Sequence, residues 1–150
     1  MFIKEIQRIL IPSDLSEFSF CAFEIGSSLA KHYNASVYFL YVEENENVNF
    51  PKEKILKKFH FVKKKYFSNS INTFSIIKKG IPYVEIINFA KNETMDLIVI
   101  ATHGKRGFAN IFMGNVAEKV IRYSNIPVLE VKKTPESFIN EEDIIDELHL

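Results

Sequence analysis

Apolar positions change period several times along this chain, and each change predicts an element. Ile6 to Ile11 is a short apolar run stopped by Pro12, the pattern of a buried strand. From Ser16 and Glu17 to about Tyr33 the spacing turns helical, with Cys21, Ile25, Leu29 and Ala30 as the expected inner face. Ala35 to Val42 is β-branched and aromatic, a second strand. A polar loop, Glu43 to Phe50, leads to a helix from Pro51 to about Phe67, where Ile55, Phe59, Val62 and Tyr66 make the apolar stripe. Asn72 to Lys78 reads as a third strand ended by Gly80. Tyr83 to Asn92 reads as a helix with Val84, Ile87 and Ala90 inward. Asp96 to Ala101 is apolar after its first residue, as expected of a central parallel strand covered on both faces. Val116 to Tyr123 is the last helix and Pro127 to Val131 the last strand.

Strand and helix alternate throughout. Successive strands joined by helices require crossover connections, so the expected fold is α/β, an open parallel sheet with helices on both faces. In such a sheet ligands favour the crevice beyond the strand C-termini, where strand order reverses. Two loops are placed for that role: Pro12 to Glu17, and Thr102 to Asn115. The pattern breaks at Thr134-Pro135-Glu136-Ser137, which sets the expected domain at residues 1–133 and an appendage at 134–150.

Charge sharpens that boundary. The 150 residues carry 19 basic and 19 acidic side chains, for a net charge of zero. All 19 basic residues precede Thr134, against 13 acids, so residues 1–133 carry +6. Residues 134–150 hold six acids and no base, a charge of −6. Such asymmetry marks an interaction tail. Ile139, Ile144, Ile145, Leu148 and Leu150 punctuate the acids, a spacing that permits a short amphipathic helix. The tail either remains a solvated terminus, or docks on the basic body, on the 52–66 helix or on a partner in a dimer, or meets another protein. No apolar run approaches 20 residues, so no membrane span is expected. The N-terminus does not read as a cleavable signal. A single cysteine, Cys21, excludes an intramolecular disulfide and a cysteine-rich zinc site, and suits a reducing, cytoplasmic location.

The segment from Ala101 to Val116 carries the chemistry. Glycines let backbone N–H groups approach an anion, and a helix N-terminus adds a favourable dipole. Lys105 and Arg106 add positive charge, and Gly114-Asn115 stands where a helix cap belongs. The residues alone leave two readings open: a phosphate site, or an ordinary connection into a capped helix.

Ile9-Leu10-Ile11-Pro12-Ser13-Asp14, Gly80-Ile81-Pro82, Asp96-Leu97-Ile98-Val99-Ile100, Thr102-His103-Gly104, Met113-Gly114-Asn115-Val116-Ala117-Glu118-Lys119-Val120 and Ile126-Pro127-Val128-Leu129-Glu130-Val131 occur here in this order. Together they make the chain resemble a universal stress protein, over essentially residues 4–133. The resemblance implies a Rossmann-like, five-stranded parallel sheet of order 3-2-1-4-5, adenine-nucleotide binding in stress response, and a homodimer formed through the last strand, Pro127 to Lys132. It implies ATP as ligand, with Mg as its counter-ion. ATP-binding members carry Gly, two residues, Gly, nine residues, then Gly and Ser or Thr. Here that register reads Ala101, Gly104, Gly114 and Asn115, two of the three glycines. The implied site gathers Pro12, Ser13 and Asp14 with Val42 near adenine or ribose. Ala101, His103, Gly104, Gly114, Asn115 and Val116 would lie near the phosphates. Asp14 also suits a turn, which Asp often makes. Ala101 and Asn115 favour the alternative, a dimeric stress-response interaction protein that binds no nucleotide.

Other constellations are weaker. Ser13, Asp14 and His103 lack a nucleophile elbow. Histidines 32, 60, 103 and 149 lack metal-ligand spacing, and no P-loop is present. No catalytic residue is expected, and any ATP hydrolysis would be slow or partner-dependent. The lysines and aromatics of the 52–66 helix read as a solvated face over a core stripe rather than a nucleic-acid surface.

Overall fold

The computed structural model describes residues 5–44, 51–102 and 112–132. The chain runs β1 (Arg8–Pro12), a single 3₁₀ turn (Glu17–Ser19), α1 (Phe20–Tyr33), β2 (Ser36–Glu43), α2 (Lys52–Tyr66), β3 (Thr73–Lys79), α3 (Pro82–Asn92), β4 (Leu97–Thr102), α4 (Phe112–Tyr123) and β5 (Val128–Lys132). The five strands form one parallel sheet in the order β3-β2-β1-β4-β5. That is the expected open α/β sheet. The order reverses between β1 and β4, which places the topological switch point there.

Side chains alternate between the sheet's two faces with period two, and each face has its own core. Ile9 and Ile11 of β1, Val37 and Phe39 of β2, and Leu97, Val99 and Ala101 of β4 join the cluster with α1 and α2. Leu10, Leu40, Ile98 and Ile100 join the cluster with α3 and α4. Every residue of β4 is buried, which is why its sequence is apolar on consecutive positions. Phe39 anchors the α1–α2 side, with ring centroids 5.2 Å from Phe23, 5.5 Å from Phe59 and 5.1 Å from Phe67.

The helix faces correct two expectations. In α1 the buried residues are Phe20, Ala22, Phe23, Gly26 and Ala30, whereas Cys21 and Leu29 are half-buried and Ile25 is 40% exposed. The segment is apolar over so wide an arc that its period alone leaves the rotation open. Gly26 sets it: a Cβ there would overlap Ile11 Cδ1, so the helix backbone rests directly on β1. In α3 the inward residues are Ile86 and Ala90, with Val84 and Ile87 half-buried. The α2 stripe stands as expected at Ile55, Phe59 and Val62.

A third correction bears on the site. The helix α4 starts at Phe112, four residues before the expected Val116, so Gly114 and Asn115 lie inside its first turn rather than at its cap. The N–H groups of a first turn have no intrahelical acceptor. No helix among the described residues is long and apolar enough to cross a membrane.

Candidate functional site

The loop after β1 is organised by its own hydroxyls. Ser13 N–H donates to Leu40 O at 2.9 Å, extending the β1–β2 pairing by one residue. Leu15 N–H donates to Ser13 Oγ at 2.9 Å, Ser13 and Ser19 hydroxyls meet at 2.7 Å, and Ser19 Oγ donates to Ser16 O at 2.6 Å. Each hydroxyl has one proton, and that of Ser19 is committed to Ser16 O. Ser13 therefore donates to Ser19, and the chain of donation runs Leu15, Ser13, Ser19, Ser16. Ser13 and Ser19 are buried. Leu15 sits at φ 62°, a left-handed conformation that a leucine seldom adopts, and this chain holds it there. Asp14 Oδ1 accepts Ser16 N–H at 2.8 Å, the turn role open to it from sequence.

Asp14 also lines a small cleft on the α1–α2 side, with Leu15, Tyr41, Lys54, Ile55 and Lys58. The Tyr41 phenol there is pushed above its ordinary pKa, first by burial and then by the negative charges of Glu43 and Asp14.

A larger cavity of about 250 Å³ opens beyond the strand ends on the other side, between the N-termini of α3 and α4. Glu44, Ile81, Pro82, Tyr83, Asn115, Val116 and Lys119 line it. Gly80 makes the approach to α3 at φ 143°, where a Cβ would meet Glu85 Oε1 at 2.8 Å. Pro82 occupies the first helical position, which suits its fixed φ and missing N–H. On α4, Asn115 and Lys119 are four residues apart and share a face. The Lys119 ammonium stands 4.9 Å from the centre of the Tyr83 ring, and the Tyr123 ring lies 6.1 Å from that ring. The lining thus offers an aromatic ring, an ammonium and a carboxylate, beside the N-terminal ends of two helices.

The expected site residues fall in several places. Asn115 and Val116 line the cavity. Val42, at the end of β2, packs against the cluster that contains Val116. Pro12 ends β1 opposite Leu40 in the β2 register. Ser13 is turned into its loop, and Asp14 lines the smaller cleft. Ala101 is buried in the α1–α2 cluster, so its methyl lies on the face opposite the cavity. His103 and Gly104 lie outside the described residues. Gly114 is in the first turn of α4. Glu44, Tyr83 and Lys119 are additions that only the packing of α3 against α4 reveals. Gly80-Ile81-Pro82 and the four-residue step from Asn115 to Lys119 are the sequence traces of that packing. Among the described residues no group of three His, Cys, Asp or Glu side chains is arranged to hold a metal ion.

Residues 5–132 match the model of a family described as the universal stress protein family. Universal stress protein MJ0531 of Methanocaldococcus jannaschii is 35% identical over 143 residues, taking in 85% of this chain and 82% of that protein. The solved structure of MJ0577 superposes with a TM-score of 0.75 at 29% identity, over 89% of this chain and 100% of its own. A universal stress protein crystallised in complex with cAMP superposes with a TM-score of 0.71 at 20% identity, over 87% of this chain and 100% of that one.

Proposed function

The chain belongs to the universal stress protein family, and from that membership we propose that it binds an adenine nucleotide, ATP foremost, in the cavity between α3 and α4. The observation that carries the reading is the composition and place of that cavity, beyond the strand ends with Asn115, Val116 and Lys119 from the start of α4 on one wall. Val116 directly follows Gly114 and Asn115, the end of the register that the resemblance implies for ATP-binding members. The binding of cAMP by a relative of the same fold supports the ligand class. On this reading Lys119 and the first-turn amides of α4 attract phosphate oxygens, Ile81 and Tyr83 contact the base or sugar, and Glu44 accepts a ribose hydroxyl. One carboxylate makes no cation cage, so Mg²⁺ would arrive as the nucleotide's counter-ion. On this reading the role is binding, and any ATP hydrolysis is slow or partner-dependent.

The second half of the proposal is a homodimer through β5. Among the described residues this edge strand has a partner strand on one side only, and it holds Leu129 38% exposed.

Calorimetry with ATP, ADP, AMP and cAMP tests the binding, alongside mass spectrometry of nucleotide released by denaturing the purified protein. Replacing Lys119 with Met keeps the stem and removes the charge. An ammonium facing phosphate at the protein surface contributes roughly 1–1.5 kcal/mol, so ATP affinity should fall about tenfold. Protein that releases no nucleotide and gives no heat with millimolar ATP would establish instead the dimeric interaction protein that Ala101 and Asn115 favour.

A further inference from the structure

The described chain ends at Lys132 on one edge of the sheet, and 18 residues follow it. The charge that would complement them is concentrated on α2. Its 15 residues hold seven lysines and a single acid, Glu53. Lys52, Leu56, His60 and Lys63 recur at helical spacing along one stripe, all exposed, with Lys57 and Lys64 beside them. Leu56 is 39% exposed, an apolar side chain set among cations.

The chain's last ten residues mirror that stripe. Glu141, Glu142, Asp143, Asp146 and Glu147 surround Ile144 and Leu148, themselves four residues apart. We propose that this acidic segment docks on the lysine stripe of its own α2, with Ile144 or Leu148 against Leu56. Charge complementarity chooses the occupant, because residues 1–133 carry +6 and residues 134–150 carry −6. Length permits it. Five strands spaced about 4.8 Å apart put β5 and β3 about 19 Å from each other. The nine steps from Lys132 to Glu141 span up to roughly 30 Å when extended. Solvent-exposed charges attract across about 30 Å at 0.01 M salt but only about 3 Å at 1 M, so the docking is strong at low salt and weak at high salt.

Zero-length carbodiimide coupling of the full chain, read by peptide mass spectrometry, tests this directly. The expected products join residues 141–147 to Lys52, Lys57, Lys63 or Lys64 at 0.01 M salt and are lost at 1 M. A mixture of ¹⁴N and ¹⁵N protein distinguishes the chain's own tail from a neighbour's. Mixed-isotope products, products on other lysines, or no tail products would each overturn the proposal. Hydrogen exchange gives a second reading that does not depend on coupling chemistry. In the full-length variant E141Q/E142Q/D143N/D146N/E147Q, amides of residues 52–66 should exchange faster than in the parent at 0.01 M salt and equally at 1 M. Equal exchange at both would refute docking on α2.

Discussion

Replacing Ser13 with Ala cuts the hydroxyl chain that shapes the loop after β1. The deletion removes one oxygen atom but affects two neighbours. Leu15 N–H loses its acceptor at 2.9 Å, and Ser19 Oγ loses the donor at 2.7 Å. Both sites are buried: Leu15 is 7% exposed and Ser19 1%. An orphaned buried donor costs about 1–3 kcal/mol, more than the net contribution of an ordinary hydrogen bond, because water cannot replace the partner. The left-handed Leu15 adds its strain of about 1–2 kcal/mol to the native state, and the Ser13 bond is what offsets it. Ser13→Ala should therefore destabilise the fold by roughly 2–3 kcal/mol. For a chain of this size that lowers the melting temperature by roughly 5–10 °C.

Ser16→Ala is the matched control. Ser16 Oγ is buried with no hydrogen-bond partner among the described residues, so its removal should change stability by less than about 0.5 kcal/mol or raise it. Urea unfolding followed by far-ultraviolet circular dichroism measures both variants at constant slope. If the two variants are equally stable, the directed chain of hydroxyls does not hold the loop.

Two further outcomes follow from burial. Ala101→Gly, the change that restores the glycine register, removes a methyl that is 2% exposed in the α1–α2 core and frees the backbone of β4. It should cost about 1–2 kcal/mol and leave the ATP dissociation constant from calorimetry within about twofold; a large gain in affinity would place the ligand on that face instead. Tyr41 has its phenol pKa raised in the fold above the unfolded value of 10.0, so its contribution to stability is complete below pH 10 and is lost as the pH climbs through the folded value. Denaturant melts from pH 8 upward should show the parent losing stability more steeply than Tyr41→Phe above pH 10. Parallel curves would rule out the burial argument.

The sheet is legible from sequence because its strands are so completely covered. Leu97 to Ala101 is apolar on every position, and only a strand with helices on both faces needs that. The stripe of α2 is legible for the opposite reason: among seven lysines, Ile55, Phe59 and Val62 stand out at helical spacing on one face. The rotation of α1 is not legible, since its apolar residues cover most of a turn and the deciding contact is Gly26 on Ile11, two elements apart. Nor is the start of α4. Gly114 and Asn115 have the composition of a cap, yet the helix already includes them. The cavity was half legible. Asn115 and Val116 belong to a motif, but Glu44 follows β2, Tyr83 lies on α3 and Lys119 on α4, and their meeting depends on how these segments pack together.

The same alternation that builds two cores also divides the loops. Tyr41 and Val42 are neighbours at the end of β2, and they face opposite sides of the sheet. Tyr41 lines the cleft that holds Asp14, and Val42 packs with the cluster beneath the cavity that holds Asn115. A ligand that touches both Asp14 and Asn115 cannot lie within either recess alone. It must pass over the C-terminal edge of the sheet, where β1 and β4 diverge at the switch point. There the backbones end in Ser13, tied to Leu40, and in Thr102, whose hydroxyl donates to Glu130 Oε1 at 2.8 Å. Both strand ends are thus held by bonds to the next strand outward. Among the described residues, a ligand shared by the two recesses would follow an extended path across that edge.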